Sequence, residues 1–286
     1  MKLVMIHGRA QGAKDPVALK KEWMDALGDG LLRADAKLPP GTIVEFPYYG
    51  DELDRLIQEV ATPLGSDALA KGTESDAEKG FRGELIEELA ANAGMTRAEI
   101  DRAYAGEPRE KGPLNWEWVQ AILRAADRVP GLGSRVLDTF TRDVYVYLTY
   151  PGVRARIDQI VLDALGDAPC VLLTHSLGSI IAYHILMKRP GVPEVPRFVT
   201  VGSPLGLRSV QHHLGFRIGF PAPVRHWFNA YDDRDFVALH PLDAHNFNVA
   251  PPIENWGNVR NYTDNRHGIV GYLADPVVAA KSVELL

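Results

Sequence analysis

The stretch Pro169–Tyr183, P-C-V-L-L-T-H-S-L-G-S-I-I-A-Y, limits what this chain can fold into more than any other. Cys170–Leu173 is a short apolar run of β-formers, the pattern of a parallel strand buried on both faces. Past Ser176 the spacing changes to Leu177, Ile180, Ile181, His184 and Ile185, which is helical. A strand therefore becomes a helix almost at once, with Ser176 in the turn. Such a turn lifts the serine Oγ above the sheet and aims a helix N-terminus at it, the nucleophile-elbow arrangement. Gly178 lets the helix pack close, while Thr174 stands where a smaller residue is expected. The plainer alternative is a solvated serine capping an ordinary helix.

The T-H-S-L-G-S stretch resembles the α/β-hydrolase superfamily, most closely its esterases and lipases, with Thr174 the one departure from G-x-S-x-G. The resemblance implies a mostly parallel sheet with helices on both faces and Ser176 as nucleophile. Near the start, Leu3–Ile6 reads as a buried strand ending in His7-Gly8-Arg9. The superfamily has an H-G motif there, and by resemblance the backbone N–H groups of Arg9 and Leu177 form the oxyanion hole. Read alone, His7 and Gly8 only terminate a strand.

The chain in order supports the α/β class. Asp15 and Pro16 read as N-cap and first residue of a helix running to about Leu27, before Gly28. Thr42–Phe46 follows as a second strand, a β-α-β pattern that argues for parallel pairing. Residues 51–130 break the rhythm with helical faces at Leu53, Leu56, Ile57, Val60 and at Leu85, Ile86, Leu89. Thr96 and Glu99 form a capping box, and Asn115 is a candidate cap for a helix carrying Trp118, Val119, Ile122 and Leu123. Gly65–Gly80 and Gly106–Pro113 read as loops. Ser134 is expected to cap a helix with Val136, Phe140, Val144 and Tyr147 on one face. A further helix, Val153–Leu165, stops at Gly166. Strands are expected at Arg197–Val201 and Arg225–Tyr231, with Val259–Thr263 the last. This divides the chain into a core, 1–50 and 131–286, and a helical insertion, 51–130, after the second strand.

Charge separates the two parts. The insertion carries 17 acidic and 10 basic residues, a net −7, while the rest carries 20 and 21, a net +1. The overall −6 gives no footprint for nucleic acid. A single cysteine, Cys170, allows no disulfide or thiolate metal site within the chain. No histidine or acid spacing resembles a metal motif, so no cofactor or metal is expected. No run is long enough for a signal peptide or a membrane span. The expectation is a cytoplasmic protein with no stable membrane span and a small-molecule partner; its oligomeric state stays open.

A serine hydroxyl needs a base, and the base needs an acid to orient it. The superfamily's chain order, serine then acid then histidine, implies an acid after the strand that follows Ser203, and a histidine after the last strand. Those places hold Asp232-Asp233-Arg234-Asp235-Phe236-Val237 and Arg266-His267-Gly268. Asp235 is the chosen acid because D-x-V resembles the family pattern, with Asp233 as runner-up and Asp232 read as a turn former. Ser203 is read as structural. His175 is expected to face away, His184 to pack, His212 and His213 to lie on a surface loop, and His240 and His245 to be minor competitors.

The resulting expectation is a serine hydrolase acting on an acyl or lipid ester through Ser176, His267 and Asp235. A thioesterase or amidase would use the same groups, and a non-catalytic binding protein of the same fold is the alternative from another class. The insertion is expected to form a lid over the site, with a satellite bundle or dimer surface as the alternative, and Trp116 and Trp118 are candidates either for lining the pocket or for the core.

Overall fold

The computed structural model describes residues 1–9, 11–61, 76–104, 116–129 and 133–286, without the side chains of Ala61, Asp76 and Trp116. Residues 65–75 and 106–113 of the two expected loops lie outside the described residues, as do the Asn115 cap and the side chain of Trp116. Residues 76–80, expected as the end of the first loop, are instead the start of a helix that runs to Asn92.

In chain order the elements are β1 (Lys2–Ile6), α1 (Pro16–Arg33), β2 (Ile43–Glu45), α2 (Gly50–Ala61), α3 (Asp76–Asn92), α4 (Arg97–Asp101), α5 (Trp116–Ala126), α6 (Ser134–Thr149) and α7 (Pro151–Leu165). Then come β3 (Cys170–His175), α8 (Leu177–Lys188), β4 (Val195–Val201), α9 (Arg208–His213), β5 (Val224–Ala230), β6 (Glu254–Trp256), α10 (Ile269–Leu273) and α11 (Pro276–Val283). The strands form one six-stranded sheet in the order β2-β1-β3-β4-β5-β6, and every pair is parallel. Helices cover both faces, so the α/β class holds. No described helix is long and apolar enough to cross a membrane.

The alternation of side chains along a strand explains the two layers. Leu3 and Met5 of β1, with Val171 and Leu173 of β3, face α1, α10 and α11. Val4, Ile6, Cys170 and Leu172 face the other way, into a larger core built by α2, α3, α5, α6, α7 and α8. The insertion's apolar faces are buried in that same core, Leu53 and Ile57 from α2 and Leu85, Ile86 and Leu89 from α3. Its described helices thus share a continuous hydrophobic interior with the sheet. The capping box at Thr96 and Glu99 is present.

Four further local expectations are corrected. Helix α1 does not stop at Leu27 but continues through Gly28 and Gly30 to Arg33. Ser134 is the first helical residue of α6 rather than its cap; its amide is held by the Asp127 carboxylate at 2.7 Å. His212 and His213 lie on helix α9, not on a loop. The last strand is Glu254–Trp256, and Val259–Thr263 is irregular. There the Asn261 amide donates to the Asp232 carboxylate at 2.7 Å instead of to a neighbouring strand, and Asn261 Oδ1 takes the Thr263 amide at 3.1 Å.

The two glycines inside α1 make a paired test. A Cβ on Gly28 would meet open space, whereas one on Gly30 would lie 2.2 Å from the Leu273 carbonyl oxygen and 2.7 Å from Ala279 Cβ. Gly28→Ala is expected to stabilise the protein by about 0.5–1 kcal/mol through helix propensity. Gly30→Ala is expected to destabilise it by roughly 1–3 kcal/mol, because α10 must shift away. Urea unfolding of the two variants measures both signs.

Candidate active site

In the strand order, β1 lies between β2 and β3, and the chain leaves β1 to one side and β3 to the other. The carboxyl ends of two such neighbours open a crevice, the usual place for a ligand in an open parallel sheet. Ser176 follows β3 at this point and Arg9 follows β1.

Ser176 links strand to helix in one residue, at φ 53° and ψ −127°, a region that costs an L-residue about 1–3 kcal/mol. Its neighbours hold the strain in place. The Ser176 amide donates to Val201 O at 3.3 Å. Its carbonyl accepts the Ser179 amide at 2.9 Å and the Ser179 hydroxyl at 2.6 Å. Thr174, the odd residue of the motif, is fully buried and donates its hydroxyl to Val199 O at 3.0 Å on β4. A hydroxyl-bearing residue there ties the elbow strand to its neighbour.

The elbow touches the end of β1 directly. A Cβ on Gly178 would lie 2.4 Å from His7 O and 2.5 Å from Ile6 O, and one on Gly8 would lie 2.9 Å from Ser176 Cβ. Only glycine permits either approach.

Three sequence-predicted residues meet here. His267 Nε2 is 2.9 Å from Ser176 Oγ, and His267 Nδ1 is 2.7 Å from Asp235 Oδ2. Asp235 has no exposed surface and its second oxygen accepts the Val237 amide at 3.0 Å. With a carboxylate on Nδ1, that nitrogen carries the proton, leaving Nε2 free to accept from the serine. Leu177, first residue of α8, has an amide with no intrahelical acceptor. Among the described residues neither its N–H nor that of Arg9 has a backbone acceptor.

The runner-up residues are occupied elsewhere. Asp233 is exposed beside Arg234 and Arg260. Asp232 is buried and accepts the Arg234 amide at 2.9 Å, the turn role expected for it. Burial raises its pKa, yet its hydrogen bonds from Arg234 and Asn261 outweigh that and leave it lowered. Ser203 shares a 2.7 Å hydrogen bond with Ser179 and caps the turn at Leu205. His184 packs near Asp158 at 3.4 Å, and His240 pairs with Asn92 at 3.1 Å. Among the described residues no group of three or more His, Cys, Asp or Glu is placed to hold a metal ion.

No protein-family model, curated protein or solved structure matches the chain.

The site's own geometry carries its interpretation, and it includes residues whose part was not foreseen. His175 does not face away: it is buried, its Nε2 lies 2.8 Å from His267 O, and its ring sits 4.8 Å from the His267 ring. Burial, with His267 nearby, holds its pKa well below the usual value, so it is neutral and Nε2–H donates. His7 does more than end a strand. It accepts the Tyr49 amide on Nε2 at 3.1 Å, so Nδ1–H donates to Gly8 O at 2.6 Å. The Gly8 carbonyl and the Arg9 N–H share one peptide plane and point opposite ways. His7 therefore fixes the direction of the Arg9 amide. Tyr272, which no motif marks, donates its hydroxyl to Asp235 Oδ2 at 2.6 Å.

A cleft of about 300 Å³ reaches Ser176 and His267. Leu19, Trp23, Ile269 and Val270 supply apolar walls, and Gln11, Lys14, Glu22, Thr263 and Asn265 supply polar ones. The described residues of 51–130 contribute none of this lining, and Trp118 is instead buried in the core, its indole N–H 2.5 Å from Glu87.

His7 gives a pH test. Burial lowers its pKa from 6.5 to about 4. Unfolding releases a group that binds a proton more readily, so its contribution is complete above about pH 6.5 and is lost as pH falls toward 4. Between pH 7 and 5 this amounts to roughly 2 kcal/mol. His7→Gln retains a donor and an acceptor without the titration. Urea unfolding at both pH values is expected to show a shallower loss in His7→Gln than in the native chain.

Proposed function

We propose that this protein is a serine hydrolase, of the α/β-hydrolase type, that cleaves a carboxylic ester through an acyl-enzyme. The observation that carries the reading is the continuous chain Ser176 Oγ to His267 Nε2 at 2.9 Å and His267 Nδ1 to Asp235 Oδ2 at 2.7 Å. A buried carboxylate holds the imidazole in the tautomer that takes a serine proton, and that pairing is what nucleophilic catalysis by serine requires.

In this mechanism Ser176 Oγ attacks the acyl carbonyl carbon as His267 Nε2 takes its proton. The negative charge develops on the former carbonyl oxygen, where the Arg9 and Leu177 amides stabilise it; one such donor is worth ~10²–10³ in rate. Collapse expels the alcohol, protonated by His267, and leaves the acyl group on Ser176. Water, deprotonated by His267, then attacks the acyl-enzyme and releases the acid. Asp235 stays ionised throughout and stabilises the imidazolium as it forms. Thioesters and amides pass through the same tetrahedral species.

The cleft of about 300 Å³ beside Ser176 takes a short acyl ester.

The test combines fluorophosphonate labelling with turnover of p-nitrophenyl esters. The native chain is expected to be labelled at Ser176 and to hydrolyse the acetate and butyrate esters faster than the palmitate ester. Ser176→Ala is expected to abolish labelling and to leave the melting temperature almost unchanged. Asp235→Asn is expected to lower kcat by roughly 10³–10⁴, since an amide favours the wrong imidazole tautomer; Asp233→Asn changes little. An unlabelled, inactive native chain would overturn the reading.

A further inference from the structure

Tyr272 lies on α10, five residues beyond His267, and its ring is fully buried. Its hydroxyl donates to Asp235 Oδ2 at 2.6 Å, the same oxygen that accepts His267 Nδ1–H. That hydroxyl also accepts the Asp232 amide at 3.3 Å. With an N–H on its lone pair, the phenol proton points at the carboxylate. Burial and the adjacent Asp235 carboxylate hold the phenol pKa well above its usual value, so Tyr272 stays a donor.

Two consequences follow. A carboxylate turns readily about its last torsion, which has a broad, two-fold profile. Here Val237 N–H holds Oδ1 and Tyr272 O–H holds Oδ2, which together fix the plane in which the carboxylate faces His267. A donor on Oδ2 also draws charge from the oxygen that would stabilise an imidazolium. Without that donor, Asp235 holds a protonated His267 more firmly, and the base becomes free only at higher pH.

We propose that Tyr272 is a positioning residue that registers Asp235 against His267 and sets the pH at which the pair works; the catalytic part of this rests on the hydrolase reading above. Among the described residues, the charged residues of the cleft that His267 lines are Arg9, Lys14 and Glu22. His175 lies against His267 with its Nε2–H spent on the His267 carbonyl. Asp232 stands behind, paired with Arg234, and Ser176 stands in front. A change confined to the Tyr272 hydroxyl touches Asp235 and the Asp232 amide and leaves His175, His267 and Ser176 with their other partners.

The experiment compares the full chain with Tyr272→Phe, using p-nitrophenyl butyrate from pH 5 to 9. Tyr272→Phe is expected to be labelled at Ser176, to keep KM within about twofold and to lose roughly tenfold or more in kcat. The acid limb of its kcat/KM profile is expected to move up by roughly half a pH unit or more. A purely structural role would lower the melting temperature without moving that limb. Replacing Tyr272 with 3-fluorotyrosine, an isosteric and stronger donor, is expected to move the limb the opposite way, and it applies even where Tyr272→Phe does not fold. NMR titration of the His267 imidazole in each protein reads the pairing without any turnover. A protein that labels no probe yet shows the displaced titration would overturn the hydrolase reading and support the pairing. Superimposable titrations and pH profiles across the three proteins would overturn the role of Tyr272.

Discussion

The site depends on one close approach, the start of α8 lying against the carbonyl end of β1. At Gly178 there is no room even for a methyl group beside the His7 and Ile6 carbonyls, and Gly8 is similarly tight against Ser176. The sheet order brings these two segments together although about 170 residues separate them in the chain. Adjacent parallel strands whose connections depart in opposite directions leave a crevice at their ends. The strained backbone of Ser176 is stable there because Val201 and Ser179 occupy its amide and carbonyl. The elbow is thus a product of the sheet as much as of its own sequence.

Around that contact, histidines serve as neutral hydrogen-bonding pieces. His7 spans from the Tyr49 amide to the Gly8 carbonyl, and its ring stacks on Tyr49 with centroids 3.9 Å apart. His175 holds the carbonyl of His267. Burial disfavours their charged forms, which is what keeps one nitrogen of His7 an acceptor. The loop carrying His267 is braced further by Asn265, which accepts its amide at 3.1 Å, and by Asn261, which donates to Gly268 O at 2.8 Å. The imidazole that faces Ser176 within hydrogen-bond reach is in this way held at backbone and ring together.

What the sequence made legible was local. The strand-to-helix switch at Ser176, the Asp15 and Pro16 helix start and the Thr96 and Glu99 capping box all depend on neighbours in sequence, and each appears where expected. The meeting of Ser176, Asp235 and His267 was legible from the serine-acid-histidine chain order that the resemblance implies, and the loops at the carboxyl ends of the parallel sheet bring the three together. The misses are non-local. Val259–Thr263 has strand composition, but a buried Asp232 carboxylate captures the Asn261 amide that a strand partner would need. Gly28 signals a helix stop by residue type, yet α1 continues because its far end packs against α10 and α11 through Gly30. The parts played by His175 and Tyr272 arise from tertiary contacts with His267 and Asp235, and no spacing rule encodes such pairings.

Arg9 divides its labour between backbone and side chain. Any residue there except proline would present an amide to the crevice, so the arginine needs a separate reason. Its guanidinium runs toward α6, donating to Val136 O at 3.0 Å, lying 4.0 Å from the Asp143 carboxylate and 5.5 Å from the centre of the Phe140 ring. Asp143 is almost wholly buried, and burial pushes its carboxyl up to about 6 against the pull of Arg9 and Arg142. A buried pair of this kind adds little net stability, because desolvation offsets most of the attraction, whereas removing one partner is costly. Its consequence is positional. The loop after β1 is anchored at Gly8 by His7 and at Arg9 by α6, the helix that leads out of the insertion into the rest of the fold. The insertion's described helices share the hydrophobic core in which α6 is packed. The direction of the Arg9 amide is therefore tied to the packing of the acidic insertion through two side chains, with no lining residue contributed to the cleft by the insertion's described residues.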